Sequence, residues 1–433
     1  MRRPFYSLLL YTLSPLIWRR VWRESLPTHS RLERLGRVPD YRDERILWVH
    51  AASVGEVLTA QPLIRALIDG YPDHRVVVTT MTATGAARVR DLFEDKVSHH
   101  FLPLDFPGAT RRFIARLAPE LAVIVETEIW PNLMHACAWA SVPVAIVNGR
   151  LSPRAFKRYC RLGSLMREAL GRVRWLGAKS GDDAKRFRAL GIQARHITVT
   201  GSLKYDLAVN DRVSKRSEHL RQTIGARPVW IAASTHPGED EQALAAHAQL
   251  CMRHDDALLI LVPRHPQRFD EVDALCRQSG MRVARRAQDE RIEAATQVYL
   301  GDTMGELMLL YGAADIAFVG GSLVEIGGHN LLEPAALGVP VVTGPHLANF
   351  SEIAQTLRDE QALVEIGSAE ALGRALIRLF DDGDERHRLG AAGKAVVDAN
   401  RGALARTCES LAPLVPYIDP GDEVVRWPRA RNR

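Results

Sequence analysis

The feature that most constrains the fold is a glycine-rich stretch, residues 319–344 (VGGSLVEIGGHNLLEPAALGVPVVTG), which lies between two short buried-strand patterns. Glycines at the end of a buried strand permit positive φ and allow the backbone to approach a ligand closely. A helix predicted to begin near Asn330 would direct its free N–H groups at an anion, and Glu333 in its first turn could accept hydrogen bonds from a ribose. The pattern predicts a nucleotide-binding crevice at the carboxyl end of a parallel sheet, although glycines alone suit any βα turn.

Length and composition bound the class of protein. The 433 residues exceed one ordinary hydrophobic core, so two domains are expected. The net charge of +6 suits an anionic substrate or an anionic membrane surface, and no nucleic-acid motif accompanies it, so no nucleic-acid partner is expected. The five cysteines are far apart and form no C-x-x-C pair, which supports neither a zinc site nor a disulfide framework and indicates a reducing cytoplasm.

The N-terminal segment, residues 1–23, differs from the rest of the chain. Residues 4–18 (PFYSLLLYTLSPLIW) carry no charge, and arginines flank them at 2, 3, 19, 20 and 23. This run is shorter than the ~20 residues that a helix needs to span a bilayer, and it lacks the cleavage site of a secretory signal. Aromatic residues beside arginines predict a segment that lies in or dips into an anionic leaflet; the alternative is a helix packed on the protein itself.

Strand patterns alternate with helical patterns through both halves of the chain. The strands are predicted at 46–50, 76–80, 121–125 and 143–148, and then at 229–234, 257–262, 298–300, 314–319 and 339–343. Alternation of this kind predicts an α/β fold with two Rossmann-like, doubly wound parallel sheets. We predict domains at 24–209 and 228–415, a polar linker at 210–227 and a tail at 416–433.

Charged side chains follow several strands of the first half, where the carboxyl ends of parallel strands gather functional groups. Glu56 lies just past the first strand, and Glu126 lies where the third strand ends. One glutamate near a helix N-terminus is often only a favourable dipole partner, but two over one crevice make general-base chemistry a hypothesis. Lys204 follows a weaker strand pattern at 197–200, where a cation could hold a carboxylate or phosphate.

Seven short motifs occur in a fixed order: SVGE at 53–56, ETEIWPN at 126–132, GSLKYD at 201–206, STHPGE at 234–239, VPRHP at 262–266, DTMGEL at 302–307 and GGHNLLEP at 327–334. On these motifs the chain resembles the GT-B glycosyltransferases and, more closely, the Kdo transferase family. That family moves 3-deoxy-D-manno-octulosonic acid (Kdo) from CMP-Kdo onto the lipid A precursor. The resemblance covers nearly the whole chain, including the apolar N-terminus.

The resemblance implies a role for each matching residue. Glu56 would be the base that deprotonates the acceptor hydroxyl, while Glu126 and Lys204 would stabilise the transition state of an inverting displacement. The implied CMP-binding residues are Arg264, His265, Met304, Gly305, Glu306, Asn330, Leu331, Leu332 and Glu333. The first domain would bind the acceptor and the second CMP-Kdo, facing each other across a central cleft.

The implied partners are CMP-Kdo as donor, lipid IVA as acceptor and the cytoplasmic side of a bacterial inner membrane. No cofactor or metal is expected, because no D-x-D cluster lies beside the nucleotide motif and Arg264 can neutralise the departing phosphate. Three alternatives stay open: a GT-B enzyme that uses another nucleotide sugar, a nucleotide-sugar epimerase, and a nucleotide-binding module without turnover. The apolar N-terminus counts against the epimerase, and a Glu56→Gln variant would separate an enzyme from a binding module.

Overall fold

The computed structural model describes residues 2–23, 29–207 and 211–416, which form two compact units. The first unit takes the described residues up to Asp206 and those from Arg401 onward, and the second takes Leu207–Asn400. Each unit is built on its own seven-stranded sheet in which every pair of neighbouring strands is parallel. This confirms the predicted α/β class with two parallel, doubly wound domains.

The first sheet has the order β3-β2-β1-β4-β5-β6-β7, so the chain reverses its direction of winding between β1 and β4. Its strands are β1 (Ile46–His50), β2 (Arg75–Thr80), β3 (Ser98–Phe101), β4 (Leu121–Val125), β5 (Val144–Gly149), β6 (Trp175–Ala178) and β7 (Ile197–Val199). Trp48 and Ile124 pack on one face of this sheet, and Val49 and Val123 pack on the other. Central strands read as continuous apolar runs because helices cover both faces.

The helices of the first unit cover both faces of its sheet. They are α1 (Arg3–Thr12), α2 (Ser14–Arg23), α3 (Val54–Gly70), α4 (Ala83–Phe93), α5 (Pro107–Leu117), α6 (Pro131–Trp139), α7 (Pro153–Leu162), α8 (Ser164–Leu170) and α9 (Gly181–Ala189), with α18 (Ala403–Leu411) from the end of the chain.

The N-terminal segment forms α1 and α2, which dock on the beginning of α5. Ile17 and Trp18 pack against a small cluster around Phe106, and the ring of Tyr11 stacks on Phe106 at 5.0 Å. Within residues 2–23, 29–207 and 211–416, no helix combines the length and the apolar character needed to cross a membrane. The structure therefore shows the packing that the sequence left as an alternative, and the predicted contact with a membrane stays a prediction.

The second sheet has the order β10-β11-β9-β8-β12-β13-β14, and its winding reverses between β8 and β12. Its strands are β8 (Val229–Thr235), β9 (Leu258–Pro263), β10 (Val283–Arg285), β11 (Val298–Leu300), β12 (Ile316–Val319), β13 (Val341–Thr343) and β14 (Leu363–Glu365). Its helices are α10 (Asp211–Ile224), α11 (Glu239–Cys251), α12 (Phe269–Gln278), α13 (Leu307–Gly312), α14 (Leu332–Ala336), α15 (Ser351–Asp359), α16 (Ala369–Asp381) and α17 (Gly383–Asn400).

Two predicted boundaries differ from the structure. Most of the predicted linker, 210–227, is α10, because Leu220 and Ile224 lie one turn apart and enter the core of the second unit. The predicted second domain, 228–415, ends too late, because Ala403 and Leu411 on α18 are buried in the core of the first unit. Residues 208–209 of the predicted first domain, residue 210 of the predicted linker and residues 417–433 of the predicted tail lie outside the described residues.

Candidate active site

Glu56 lies in the first turn of α3, directly after the carboxyl end of β1. Its carboxylate accepts hydrogen bonds from the backbone N–H of Ala52 at 2.6 Å and from the Ser53 hydroxyl at 3.4 Å. Burial, the largest cause, raises the pKa of Glu56 from 4.5 to about 8, together with the nearby carboxylates of Glu128 and Glu126 and against the effect of the Ala52 hydrogen bond. A general base is most effective when its pKa lies near the working pH, so this carboxylate suits that task.

Glu126 and Glu128 complete an acidic cluster at the end of β4, the strand next to β1. Glu126 adopts a left-handed φ of 60°, while its backbone N–H donates to the Val147 carbonyl at 2.9 Å. Glu128 accepts a hydrogen bond from Trp130 Nε1 at 2.9 Å, and burial together with Glu126 raises its pKa. Positive φ at a residue other than glycine costs energy and occurs often at functional sites.

Lys204 lies on a short 3₁₀ turn, Leu203–Tyr205, in the segment after β7. The backbone N–H of Leu203 donates to Asn148 Oδ1 at 3.2 Å, and Asn148 lies near the end of β5. Leu203 is also buried in the same core cluster as Val57 of α3. The turn that carries Lys204 follows β7 in the chain but lies at the carboxyl end of β5, so the three predicted catalytic residues lie at the carboxyl ends of the adjacent strands β1, β4 and β5.

In the second unit, a buried carboxylate organises the glycine-rich loop at the point where the winding reverses. Glu239 is 0% exposed and accepts hydrogen bonds from the backbone N–H groups of Gly321, Ser322 and Leu323 at 2.6–2.9 Å. A Cβ atom at Gly320 would lie 2.7 Å from the Ser234 carbonyl oxygen, so only glycine fits there. These N–H groups are engaged by the Glu239 carboxylate, so they hold the loop in place and do not point at a bound ligand.

Three histidines meet at the ends of β8, β9 and β12. The rings of His236 and His329 are stacked, with centroids 5.1 Å apart, and their Nε2 atoms lie 2.9 Å apart. The His265 ring lies edge-on to His236 at 5.3 Å between centroids. Burial, together with the charges of Arg264 and His236, lowers the pKa of His329 to about 4. The stacked pair is therefore neutral near pH 7, with one Nε2–H donating to the other ring.

The predicted helix near Asn330 begins later than expected. α14 spans Leu332–Ala336, and the backbone N–H of Leu332 donates to Asn330 Oδ1 at 3.2 Å. Asn330 Nδ2 also donates to Glu333 Oε1 at 3.2 Å, and burial raises the pKa of Glu333 to about 7. Leu331 and Leu332 are fully buried, so only their backbones could meet a ligand. The helix is one turn long, and the prediction that its free N–H groups bind an anion is wrong for Leu332.

The predicted loop after β11 presents one free side chain and one engaged carboxylate. The Met304 side chain is 65% exposed beside Gly305, which has a positive φ of 79°. Glu306 instead binds Arg286 at 2.6 Å, the Thr303 hydroxyl at 2.7 Å and Arg216. The Arg286 hydrogen bond and ion pair lower the pKa of Glu306 to about 2. Glu306 therefore anchors the loop, and Met304 has the freedom to lie against a flat ligand.

The family of the chain follows from comparison with known proteins. Residues 29–207 match the family described as 3-deoxy-D-manno-octulosonic-acid transferase (kdotransferase), and residues 241–396 match glycosyl transferases group 1. The 3-deoxy-D-manno-octulosonic acid transferase of Haemophilus influenzae is 42% identical over 95% of this chain and 99% of its own length. The chain belongs to the Kdo transferase family. The Bordetella pertussis transferase is 38% identical over the same shares of the two chains.

Membership of the Kdo transferase family makes the chain a glycosyltransferase. A solved structure of UDP-GlcNAc 2-epimerase from Neisseria meningitidis, bound to UDP-GlcNAc, matches with a TM-score of 0.53 and 14% identity over 85% of this chain and 100% of its own. That likeness shows the shared fold and nothing finer. The fold therefore does not separate a transferase from an epimerase, whereas the identity to the Kdo transferases does.

Several residues of the candidate site of this Kdo transferase were not singled out from the sequence. Glu239, His236 and His329 lie inside the quoted motifs STHPGE and GGHNLLEP, yet no role was predicted for them. Glu128 lies two residues from Glu126 and was also missed. A signal existed for Glu239, because it opens α11, but its bonds to a loop more than 80 residues away could not be predicted from spacing.

Proposed function

We propose that this Kdo transferase moves Kdo from CMP-Kdo to a sugar hydroxyl of the lipid A precursor, lipid IVA, in lipopolysaccharide biosynthesis. The observation that carries the mechanism is the partly buried carboxylate of Glu56, whose pKa of about 8 suits a base. Glu56 takes the proton of the acceptor hydroxyl as the oxygen attacks the anomeric carbon of Kdo. The bond from that carbon to the phosphate oxygen breaks, CMP leaves, and the anomeric configuration inverts.

The donor assignment is supported by the second unit. Arg264 directly follows β9. Its positive charge adds to the burial that lowers the pKa of His329 and opposes the burial that raises the pKa of Glu333, so it lies near both. A guanidinium suits a phosphate, and Met304 offers an exposed face for a base. Neutralisation of the departing CMP phosphate by Arg264 needs no metal, so we expect activity in the presence of EDTA. Glu126 and Lys204 would stabilise charge in the transition state.

Association with the cytoplasmic side of the inner membrane is also part of the proposal. The outward face of α1 and α2 leaves large apolar side chains in water, among them Phe5, Leu8 and Leu16. Surfaces of this kind lie against a bilayer or a partner, and a lipid acceptor requires the former. The first unit would therefore sit on the membrane surface and take the acceptor from it.

The test is the mass of the product after the full-length protein is incubated with CMP-Kdo, lipid IVA and EDTA. We expect lipid IVA carrying one or more Kdo units. We expect Glu56→Gln to lower kcat by about 10²–10⁴-fold because the base is lost while the size of the side chain is kept. Glu409→Gln, on the exposed surface of α18, is the matched control and should keep full activity.

Three outcomes would contradict parts of the proposal. CMP binding without any product on lipid IVA would exclude this acceptor. Turnover of a UDP-sugar in place of CMP-Kdo would favour the alternative of a GT-B enzyme with another donor. If Glu56→Gln keeps the activity of the wild type, Glu56 is not the base.

A further inference from the structure

A cavity lies in the first unit, among α1, α5 and α6. Its volume is about 320 Å³, and it is lined by Arg3, Pro107, Arg111, Asn132, His135 and Trp139. This volume falls at the small end of the range for ligand sites, about 300–1,000 Å³, and suits a headgroup rather than a whole nucleotide sugar. None of the predicted catalytic or CMP-binding residues lines it.

The cavity is strongly basic. Arg3 donates to Asn132 Oδ1 at 3.3 Å, which fixes its guanidinium at the wall, and Arg111 lies on the exposed side of α5. His135 Nδ1 is buried and has no hydrogen-bond partner among the described residues. Burial lowers the pKa of His135, as do the charges of Arg3, Arg172 and Arg111, with Glu168 opposing them.

The buried carboxyl group of Asp105 lies near Arg3, and burial raises its pKa to about 7. Asp105 accepts hydrogen bonds from the backbone N–H groups of Asn132 at 3.0 Å and Leu133 at 2.8 Å. The Asn132 side chain in turn donates to the Asp105 carbonyl at 2.6 Å and accepts from the Ser7 hydroxyl at 3.1 Å. This network holds α1 on α6, and because the pKa of Asp105 is raised to about 7, its negative charge only partly offsets the charges of Arg3 and Arg111.

The cavity opens beside apolar surface. α1, which supplies Arg3, also exposes Phe5 (62%) and Leu8 (61%), and the indole of Trp139 at the cavity wall is 61% exposed. Arginine near an anionic bilayer is favourable, and tryptophan is enriched at membrane interfaces. A ligand that fits both features has a compact anionic head and an attached apolar part.

We propose that this cavity binds the phosphate of an anionic phospholipid headgroup in the bilayer. Arg3 and Arg111 would pair with the phosphate oxygens, His135 would contribute a hydrogen bond, and Trp139 would lie at the level of the headgroups. Because Asn132 is six residues past Glu126, the bound lipid would hold the end of the sheet that carries the catalytic carboxylates close to the membrane. The inference rests on the proposed membrane contact and adds a specific site to it.

The test is co-sedimentation of the full-length protein with vesicles. One set contains phosphatidylcholine with phosphatidylglycerol, and the other contains phosphatidylcholine with oleate at a matched surface charge. We expect Arg111→Gln to weaken binding to the phosphatidylglycerol vesicles about fivefold, as loss of one arginine near an anionic surface predicts, with His135→Gln weaker in the same direction. Arg188→Gln, on the exposed face of α9, removes the same charge elsewhere and is the control.

Each other outcome overturns the proposal. An equal loss for Arg111→Gln and Arg188→Gln, or an equal loss on both sets of vesicles, would indicate non-specific attraction. Binding of glycerol 3-phosphate that depends on Arg111, with unchanged vesicle binding, would make a free phosphate the ligand. If Arg111→Gln has a higher KM for lipid IVA than the wild type in neutral detergent, the ligand of the cavity is a phosphate of the acceptor. Normal turnover in detergent by Arg111→Gln keeps failure of this site distinct from failure of the proposed transferase reaction.

Discussion

Strained residues mark the places where single side chains are directed into the two sites. Glu126, Asn148 and Ser234 all have left-handed φ values of 53–60°, and each lies at or next to the carboxyl end of a strand. Such a conformation is costly for residues with a Cβ and persists where surrounding contacts impose it. At Asn148 the side chain holds the turn that carries Lys204, so strain in one residue positions another.

The acidic cluster predicts how activity depends on pH. The Glu56 carboxylate must be ionised to act as a base, and its raised pKa of about 8 means that it becomes protonated as the pH falls through that value. We therefore expect the pH profile of kcat/KM to have an acidic limb, along which kcat/KM falls about tenfold for each pH unit below this pKa. Glu128→Gln removes a neighbouring negative charge and should move the limb to lower pH, whereas Glu409→Gln should leave it in place. An acidic limb with an apparent pKa in the ordinary range of carboxyl groups would contradict the assignment of Glu56 as the base.

The hydrogen bonds from the glycine-rich loop to the Glu239 carboxylate predict that a substitution at Glu239 lowers both the stability of the protein and its binding of the donor. In Glu239→Gln, an amide nitrogen replaces one oxygen that accepts backbone hydrogen bonds, and a buried N–H is left without a partner. We expect a cost of about 1–3 kcal/mol in the unfolding free energy, measured by thermal or urea denaturation, and weaker CMP binding by calorimetry. Glu241→Gln, whose carboxylate accepts only the exposed Gly238 N–H, is the matched control. Unchanged stability of Glu239→Gln would show that the loop keeps its conformation without these hydrogen bonds.

At the scale of elements, most of the strands predicted from the sequence are inner strands of their sheets; the weak pattern at 197–200 is the edge strand β7. β1, β4, β8 and β9 are largely apolar and buried on both faces, and such continuous apolar runs can be recognised as strands from the sequence. β3 (SHHF) was missed because its histidines and serine conceal it, and β6 was missed because WLGA carries little pattern. α10 was mistaken for a linker, since its many charges cover a narrow apolar stripe.

Helix α18 gives a test of the domain boundary. Leu411 is 1% exposed and belongs to the core cluster of the first unit. We expect Leu411→Ala to destabilise the protein by about 2–5 kcal/mol, with the loss of hydrogen-exchange protection concentrated in β1 and β4. The same change at Leu404, which is only partly buried on the same helix, should cost less. A loss of hydrogen-exchange protection in β8 and β9 instead would indicate that α18 belongs to the core of the second unit.

The whole molecule uses one topological device twice. In each unit the winding reverses beside the first strand, between β1 and β4 and between β8 and β12, and the candidate residues of each unit gather at that reversal. The motifs identified most of these positions, because catalytic and binding residues follow strand ends in the sequence. The partners that hold them, such as Glu239 on the glycine loop or Asn148 on the Lys204 turn, depend on contacts between distant segments and became visible only in the structure.

The return of the chain to the first unit has a consequence for biosynthesis. Ribosomes deliver a chain from its N-terminus, and domains ordinarily fold in that order as they emerge. Here the second unit, Leu207–Asn400, is complete before α18 has been translated, while the first unit still lacks a helix of its core. Of the two units, the one that emerges first is thus the last to finish folding, and the sheet bearing the candidate catalytic carboxylates acquires its final packing only after α18 has emerged.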